Sequence, residues 1–287
     1  MRKKPIALLL AVLMLVSLMC LSACGSADKI EGSGTEEDPW LVGADNAEDV
    51  RVVVYDSSIW IDGEGKMMDF EDPALRPWND ILAATDSVQI FGDVSYIGSN
   101  AFKGAGTNNG VFDLGIFSEL EAIGSSAFAG CGFYEGSILT IPESVSSICD
   151  SAFADCGTLD VYFDGTPDFI ADNAFENVTA SAYVRSSGAW HEGNMLDYGG
   201  EISYTTLYAF NYVVDSGTED YTEEGTMYVP EGQLFEYNHE DYMDDEPYHF
   251  VRYEVVEGDL VIDDPANPML SVTITGDVTV KIVCEAD

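Results

Sequence analysis

Few residues in this sequence are both chemically capable and suitably spaced. His191, His239 and His249 are its three histidines, and none stands four residues from another, the spacing that sets two imidazoles on one helix face for a metal. His239 and His249 flank an acidic, loop-like stretch, so they read as surface residues rather than ligands. Cys131 and Cys156 are regularly placed, each three residues after a phenylalanine. No Cys-x-x-Cys occurs, so zinc and dithiol chemistry lack their usual spacing. Two carboxylates across a cleft, one with a raised pKa, would serve glycoside hydrolysis. With 52 acidic residues, the nearness of two carboxylates carries no such signal. There is no Gly-x-Ser-x-Gly elbow and no Gly-x-x-x-x-Gly-Lys loop, and Gly63-Glu-Gly65 has no following helix to hold a phosphate. An Asp-x-Asp-x-Asp-Gly calcium loop is also missing. The sequence predicts no enzyme, no cofactor and no metal site.

What positions the cysteines is a repeated phrase: Ile97-Gly-Ser-Asn-Ala-Phe102, Ile123-Gly-Ser-Ser-Ala-Phe128, Ile148-Cys-Asp-Ser-Ala-Phe153 and Ile170-Ala-Asp-Asn-Ala-Phe175. The steps from Ile to Ile are 26, 25 and 22 residues, the period of stacked structural units. A single unit cannot bury its apolar side, so Ile and Phe must meet their counterparts in the next copy. The Asn or Ser two residues before each Phe suits the N-cap of a short helical turn. Gly, Cys or Ala after the Ile marks a small, crowded position rather than an obligatory positive φ. Equivalent positions in neighbouring copies are close in space, so a Cys131–Cys156 bridge is geometrically open outside the cell. The matching Ala105 and Val178 favour reduced, buried thiols that act as small apolar fillers.

Before each phrase lies an apolar segment of period two: Val88–Ile90, Phe112–Leu114, Leu139–Ile141 and Leu159–Phe163. These predict a narrow parallel sheet whose outward residues are Gln89, Asp113, Thr140, Asp160 and Tyr162, the candidate binding surface. Tyr162 is the candidate anchor, because aromatics are favoured at interface hot spots.

The chain opens with Arg2-Lys3-Lys4 and an apolar run from Ile6 to Leu18, the pattern of an export signal. Leu21-Ser22-Ala23-Cys24 after it resembles the lipobox of bacterial lipoproteins, which implies cleavage before Cys24 and lipid on that residue. Residues 25 to about 38 read as a solvated tether, with order beginning near Trp40. The whole sequence carries a net charge of −41, and removing the signal takes away three cations and no acid. Such a field repels nucleic acid and anionic lipid; the membrane would be reached through the lipid anchor alone.

Ile59-Trp-Ile-Asp-Gly-Glu-Gly-Lys-Met67, Asp69-Phe70, Pro77-Trp78 and Val88-Gln-Ile90 resemble the lead-in of BspA-type leucine-rich repeat proteins. The four phrases, with Leu139-Thr-Ile-Pro-Glu-Ser-Val145, resemble that family's repeats. The resemblance covers about residues 50 to 205 and implies a right-handed solenoid with one short parallel strand per repeat. Thr107-Asn-Asn-Gly110 departs from the pattern, and the last copy lacks Cys. Beyond residue 206 the period is lost. Strand-like runs follow, including Ser271–Ile274 and Val278–Val283 with Thr-Gly-Asp turning between them. Residues 250–281 resemble divergent relatives of the listerial internalin B-repeat, with Tyr253 where Trp is expected and a poor match through Asp241–Glu246.

The expected fold class is mainly β with short helical turns: a right-handed leucine-rich-repeat solenoid with an N-terminal β cap and a small β-rich C-terminal domain. The expected layout is a lipoprotein signal peptide over 1–23, a disordered tether over 24–39, the β cap over 40–87, the repeats over 88–205 and the β-rich domain over 206–287. The resemblance implies a protein exported and lipid-anchored on the outer face of a bacterial membrane, binding host or bacterial extracellular proteins in an adhesion-type role. Two alternatives stand beside it. One is a non-adhesive structural or spacer component of the envelope. The other is a carbohydrate-binding module, for which Trp40, Trp60, Trp78 and Trp190 would have to line one surface.

Overall fold

A computed structural model describes residues 30–106, 111–114, 119–132, 137–187, 196–217, 222–239 and 248–286. The signal, Cys24 and the start of the tether lie outside the described residues, as do Trp190, His191, the Asn-rich stretch at 107–110 and the acidic run at 241–246. The chain divides into two compact units, Met1–Ala182 with Gly193–Ser203, and Tyr183–Glu192 with Tyr204–Asp287.

In the first unit, β1 (Trp40–Leu41), β2 (Val50–Tyr55) and β3 (Ser58–Lys66) run antiparallel in turn, and β3 then pairs in parallel with β4 (Ser87–Ile97). The last residues of β4 continue the sheet through β6 (Ala122–Ile123), β8 (Ser147–Ile148) and β10 (Phe169–Ile170), all parallel. The registers align Ile97, Ile123, Ile148 and Ile170. The isoleucine of every phrase thus occupies one equivalent position, which the constant phrase requires. On a second sheet, β5 (Val111–Asp113), β7 (Ile138–Ile141) and β9 (Gly157–Phe163) run parallel, and β11 (Val178–Arg185) follows.

The phenylalanines of the phrases form a second interior row. The centroids of Phe102, Phe128, Phe153 and Phe175 lie 5.6, 5.5 and 5.3 Å apart in sequence, with rings within 20° of parallel. Backbone bonds tie the same turns together: Phe102 N–H donates to Ala127 O, Phe128 N–H to Ala152 O and Phe153 N–H to Ala174 O. The first copy has no predecessor to satisfy its carbonyls. Arg76 Nη1 takes Asn100 O at 2.8 Å and Lys103 O at 2.9 Å, and Trp78 Nε1 takes Ala101 O at 2.9 Å. The Trp78 ring also stacks on Phe102 at 5.8 Å, so Trp78 stands where a preceding phenylalanine would. At the other end, Phe175 N–H donates to Tyr198 O and Asn177 N–H to Gly199 O.

Four expectations are corrected here. Segment 88–90 does not join the second sheet: β4 is one eleven-residue strand whose first half pairs Val88 with Ile59 and Ile90 with Ile61, burying both pairs. Period two predicts a strand but leaves its partner open. The phrases form turns, not capped helical turns. Asn100, Ser126 and Ser151 have φ of 58°, 55° and 55°, whereas an N-cap is extended. Among the described residues the α-helix is Asn79–Leu82, with 3-10 turns at Ala47–Asp49 and Pro73–Leu75. The expected tether is folded from residue 32 or so: Gly34 N–H donates to Asp38 O, Trp40 Nε1 donates to Gly32 O and Val54 N–H donates to Gly34 O. Bonds to the Trp40 indole and to β2 outweigh the polar composition there.

The fourth correction concerns the second unit. There β12 (Glu201–Asp215), which enters from the first unit, pairs antiparallel with β13 (Glu224–Pro230) and in parallel with β17 (Val278–Ala286). Strand β17 also pairs antiparallel with β15 (Tyr248–Glu257). The other sheet holds β14 (Leu234–Asn238) and β16 (Met269–Thr273). The segments expected to form a hairpin around Thr-Gly-Asp thus enter different sheets. Both alternate because Leu270, Val272 and Ile274 share one core with Val278, Val280 and Ile282. Alternation records which face is buried, not which strand lies alongside. Phe210 and Tyr253 fill that core with Phe235 packed against it, and the Tyr253 hydroxyl donates to Pro268 O at 2.6 Å.

Candidate binding surface

The second sheet of the first unit presents its outward residues in register. Thr140 lies between Asp113 and Tyr162, and Ile138 lies opposite Asp160. Leu139, Ile141, Leu159, Val161 and Phe163 take the opposite parity and are buried, which forces Ile138, Thr140, Asp160 and Tyr162 outward. Thr140, Asp160 and Tyr162 are half-buried, and Ile138 is 48% exposed. The backbone of Asp113 continues the row in β5, while its side chain lies outside the described residues.

Of the five residues expected on one face, the structure brings Asp113, Thr140, Asp160 and Tyr162 to one sheet and leaves Gln89 on the other, opposite Trp60. Ile138 belongs to the row and escaped the sequence reading, which began the strand at Leu139. Its signal was an isoleucine at outward parity, where a solvated strand would carry a polar residue. Near the same strands, a shallow depression of about 450 Å³ is lined by Thr158, Thr179, Ser181, Asp197, Glu201 and Ser203. Its hydroxyls and carboxylates can hydrogen-bond a ligand, and Ala180 and Ile202 add apolar surface, but it has no aromatic wall.

The residues considered for chemistry are placed for packing. Cys131 and Cys156 are free and buried, and their Sγ atoms donate to Phe102 O at 3.4 Å and Phe128 O at 3.1 Å, each one repeat back. Burial, then the neighbouring Cys156, pushes the Cys131 thiol well above its usual range, so little nucleophilic thiolate forms. His239 is buried, with Nδ1 2.9 Å from the Tyr237 hydroxyl, not a surface residue as expected; desolvation lowers its pKa. Trp40 and Trp78 are buried. The four-tryptophan surface required for sugar binding is therefore not formed.

Residues 95–188 match the BspA type leucine rich repeat region in six copies. The chain is similar in structure to a leucine-rich repeat protein from Eubacterium ventriosum ATCC 27560, at 20% identity and a TM-score of 0.37 over 54% of this chain and 42% of that one. It thus spans less than half of that protein's length. No curated protein matches the chain.

Proposed function

We propose that this is an exported bacterial surface protein, anchored through lipid on Cys24, whose repeats form a right-handed solenoid that binds extracellular proteins of host or bacterial origin. In this reading residues 40–87 close one end of the solenoid, and residues 206–287 are a small module akin to the internalin B-repeat relatives. One observation carries the binding role. The inward positions of the repeats are constant in type, whereas the outward row offers Ile138, Thr140, Asp160 and Tyr162, a mixture of apolar, polar and aromatic groups. Repeat scaffolds use such faces for partners, and a half-exposed Ile set diagonally from a Tyr on the neighbouring strand puts apolar and aromatic groups on one face, the composition of an interface centre. The match to a leucine-rich repeat family supports the role of a protein-binding scaffold; fold alone names no ligand.

The test is binding of the full-length protein to a panel of matrix proteins and whole cells. The expected result is saturable binding that Ile138→Ser with Tyr162→Ala weakens at least about tenfold, the scale of losing one interface hot spot. Binding no greater than that of an unrelated acidic protein would sink this reading and leave the spacer role. Fatty-acid labelling compared with Cys24→Ala checks the anchor separately.

A further inference from the structure

Cys131 and Cys156 stand 25 residues apart in the two central repeats, where the outer copies carry Ala105 and Val178. Both are buried. The backbone fixes how near the two positions lie. Ser126, Phe128 and Gly130 N–H donate to Asp150, Ala152 and Ala154 O of the next repeat at 2.9, 2.8 and 2.7 Å. The turns leading into the two cysteines therefore run in register, one hydrogen-bonded step apart. Such a step sets neighbouring backbones about 4.8 Å apart, and a disulfide joins Cα atoms about 4.4–6.8 Å apart.

The side chains lean the same way along the stack. Phe128 O accepts from Cys131 N–H at 3.2 Å and from Cys156 Sγ at 3.1 Å, so one carbonyl gathers the backbone of the first cysteine and the thiol of the second. Phe102 O does the same for Ala105 N–H at 3.0 Å and Cys131 Sγ at 3.4 Å. Each thiol thus reaches towards the preceding repeat, and for Cys156 that repeat holds Cys131. Ala105 gives Cys131 no thiol behind it, and Val178 gives Cys156 none ahead, so along this row the two can join only each other.

We propose that Cys131 and Cys156 close a disulfide under oxidising conditions, a covalent staple between the second and third repeats, with a small-molecule disulfide as the oxidant. One thiolate attacks that disulfide, releasing half of it as a thiol and leaving a mixed disulfide; the other cysteine then displaces the second half. The cysteines lose two electrons and two protons, and the oxidant leaves as two thiols. In the stacked state burial, then the neighbouring Cys156, holds the Cys131 thiol protonated. Exchange therefore proceeds while the repeats are parted, before they stack or during a local opening. Once formed, the bridge lies inside the stack, away from reductant. Cys156 leads directly into β9, which carries Asp160 and Tyr162, so the staple ties that strand to the repeat before it. The bridge requires neither the lipid anchor nor a bound partner, and its failure would leave the proposed binding role standing.

The test refolds the full-length protein from denaturant in mixed reduced and oxidised glutathione, alkylates the remaining thiols and maps peptides after cleavage at glutamate, which falls between the two cysteines at Glu143. The expected result is a cross-linked pair of peptides carrying Cys131 and Cys156. Amide exchange at Phe128 and Gly130, whose N–H groups bond across the two repeats, should be slowed at least about tenfold relative to the reduced protein. In Cys131→Ala, which copies the first repeat, the oxidant should leave that exchange unchanged. Alkylation of both cysteines after refolding in oxidant would overturn the proposal, as would a cross-link from either one to a different cysteine. Exchange at those amides no slower in the bridged protein would also overturn it, because the bridge would then not hold the repeats together.

Discussion

In the repeats each buried residue meets its own counterpart: Ile123 pairs between Ile97 and Ile148, and Phe128 stacks between Phe102 and Phe153. In the second unit buried residues meet strangers, Phe210 pairing with Val278 and Tyr237 with Leu270. Both arrangements bury aromatic and β-branched side chains. They differ in how a local change spreads. A stacked array couples nearest neighbours, whereas side chains gathered into one non-repeating core share every loss.

Phe128→Ala tests that difference with the largest expected effect. Removing a fully buried ring from the middle of the stack costs about 3–5 kcal/mol. Amide hydrogen exchange should show lost protection around Phe102, Phe128 and Phe153, with the amides of residues 250–256 and 278–284 unchanged. Equal loss in both regions would break the comparison and make the chain one cooperative body.

Such repetition also explains which features were legible in the sequence. The recurrence of Ile and Phe fixed the burial of all four phenylalanines and of Ile97, Ile123 and Ile148, because a stack allows one arrangement of identical units; Ile170, in the last copy, is half-buried. Outward parity then gave Thr140, Asp160 and Tyr162. Gln89 was assigned to the wrong sheet, since β4 shows the same alternation whichever strand it pairs with. Asn100, Ser126 and Ser151, before the first three phenylalanines, were ambiguous, because the short polar side chains that suit an N-cap also tolerate the left-handed conformation they adopt. A readable signal was overlooked two residues after each phenylalanine. Gly104, Gly130, Asp155 and Asn177 occupy that place, with φ of 80°, 70°, 59° and 59°, and these are residue types that accept positive φ. In the second unit, no repeat distinguished a hairpin from a chain crossing between sheets.

Two glycines of the repeats separate crowding from conformation. A Cβ on Gly98 would lie 1.8 Å from Met68 O, so Gly98→Ala must displace backbone and is expected to cost about 1–3 kcal/mol. A Cβ on Gly130 meets nothing within 4 Å, so Gly130→Ala bears only the left-handed penalty of about 1 kcal/mol. Gly130→Asn, copying Asn177, should recover part of it. Chemical denaturation reads all three; an equal cost for Gly98→Ala and Gly130→Ala would show that the close approach at Gly98 is readily relieved.

The final contrast is in acid response. The four phrases and the segments between them, from Ile97 to Phe175, contain no histidine, whereas the second unit buries His239 with Nε2 unpaired. Desolvation holds its folded pKa below the ordinary 6.5, against a smaller opposing pull from Glu223. Above that value both folded and unfolded chains carry a neutral ring, and stability does not depend on this group. As the pH falls below 6.5 the unfolded chain takes up a proton that the folded one refuses, so stability declines until the folded pKa is passed. His239→Gln should flatten this decline in the second unit, measured by hydrogen exchange of residues 250–256 between pH 7 and 5 with the intrinsic rate removed. A decline of the same size in the variant would assign the response to another group, and a matching decline around Phe128 would show that acid does not distinguish the two regions.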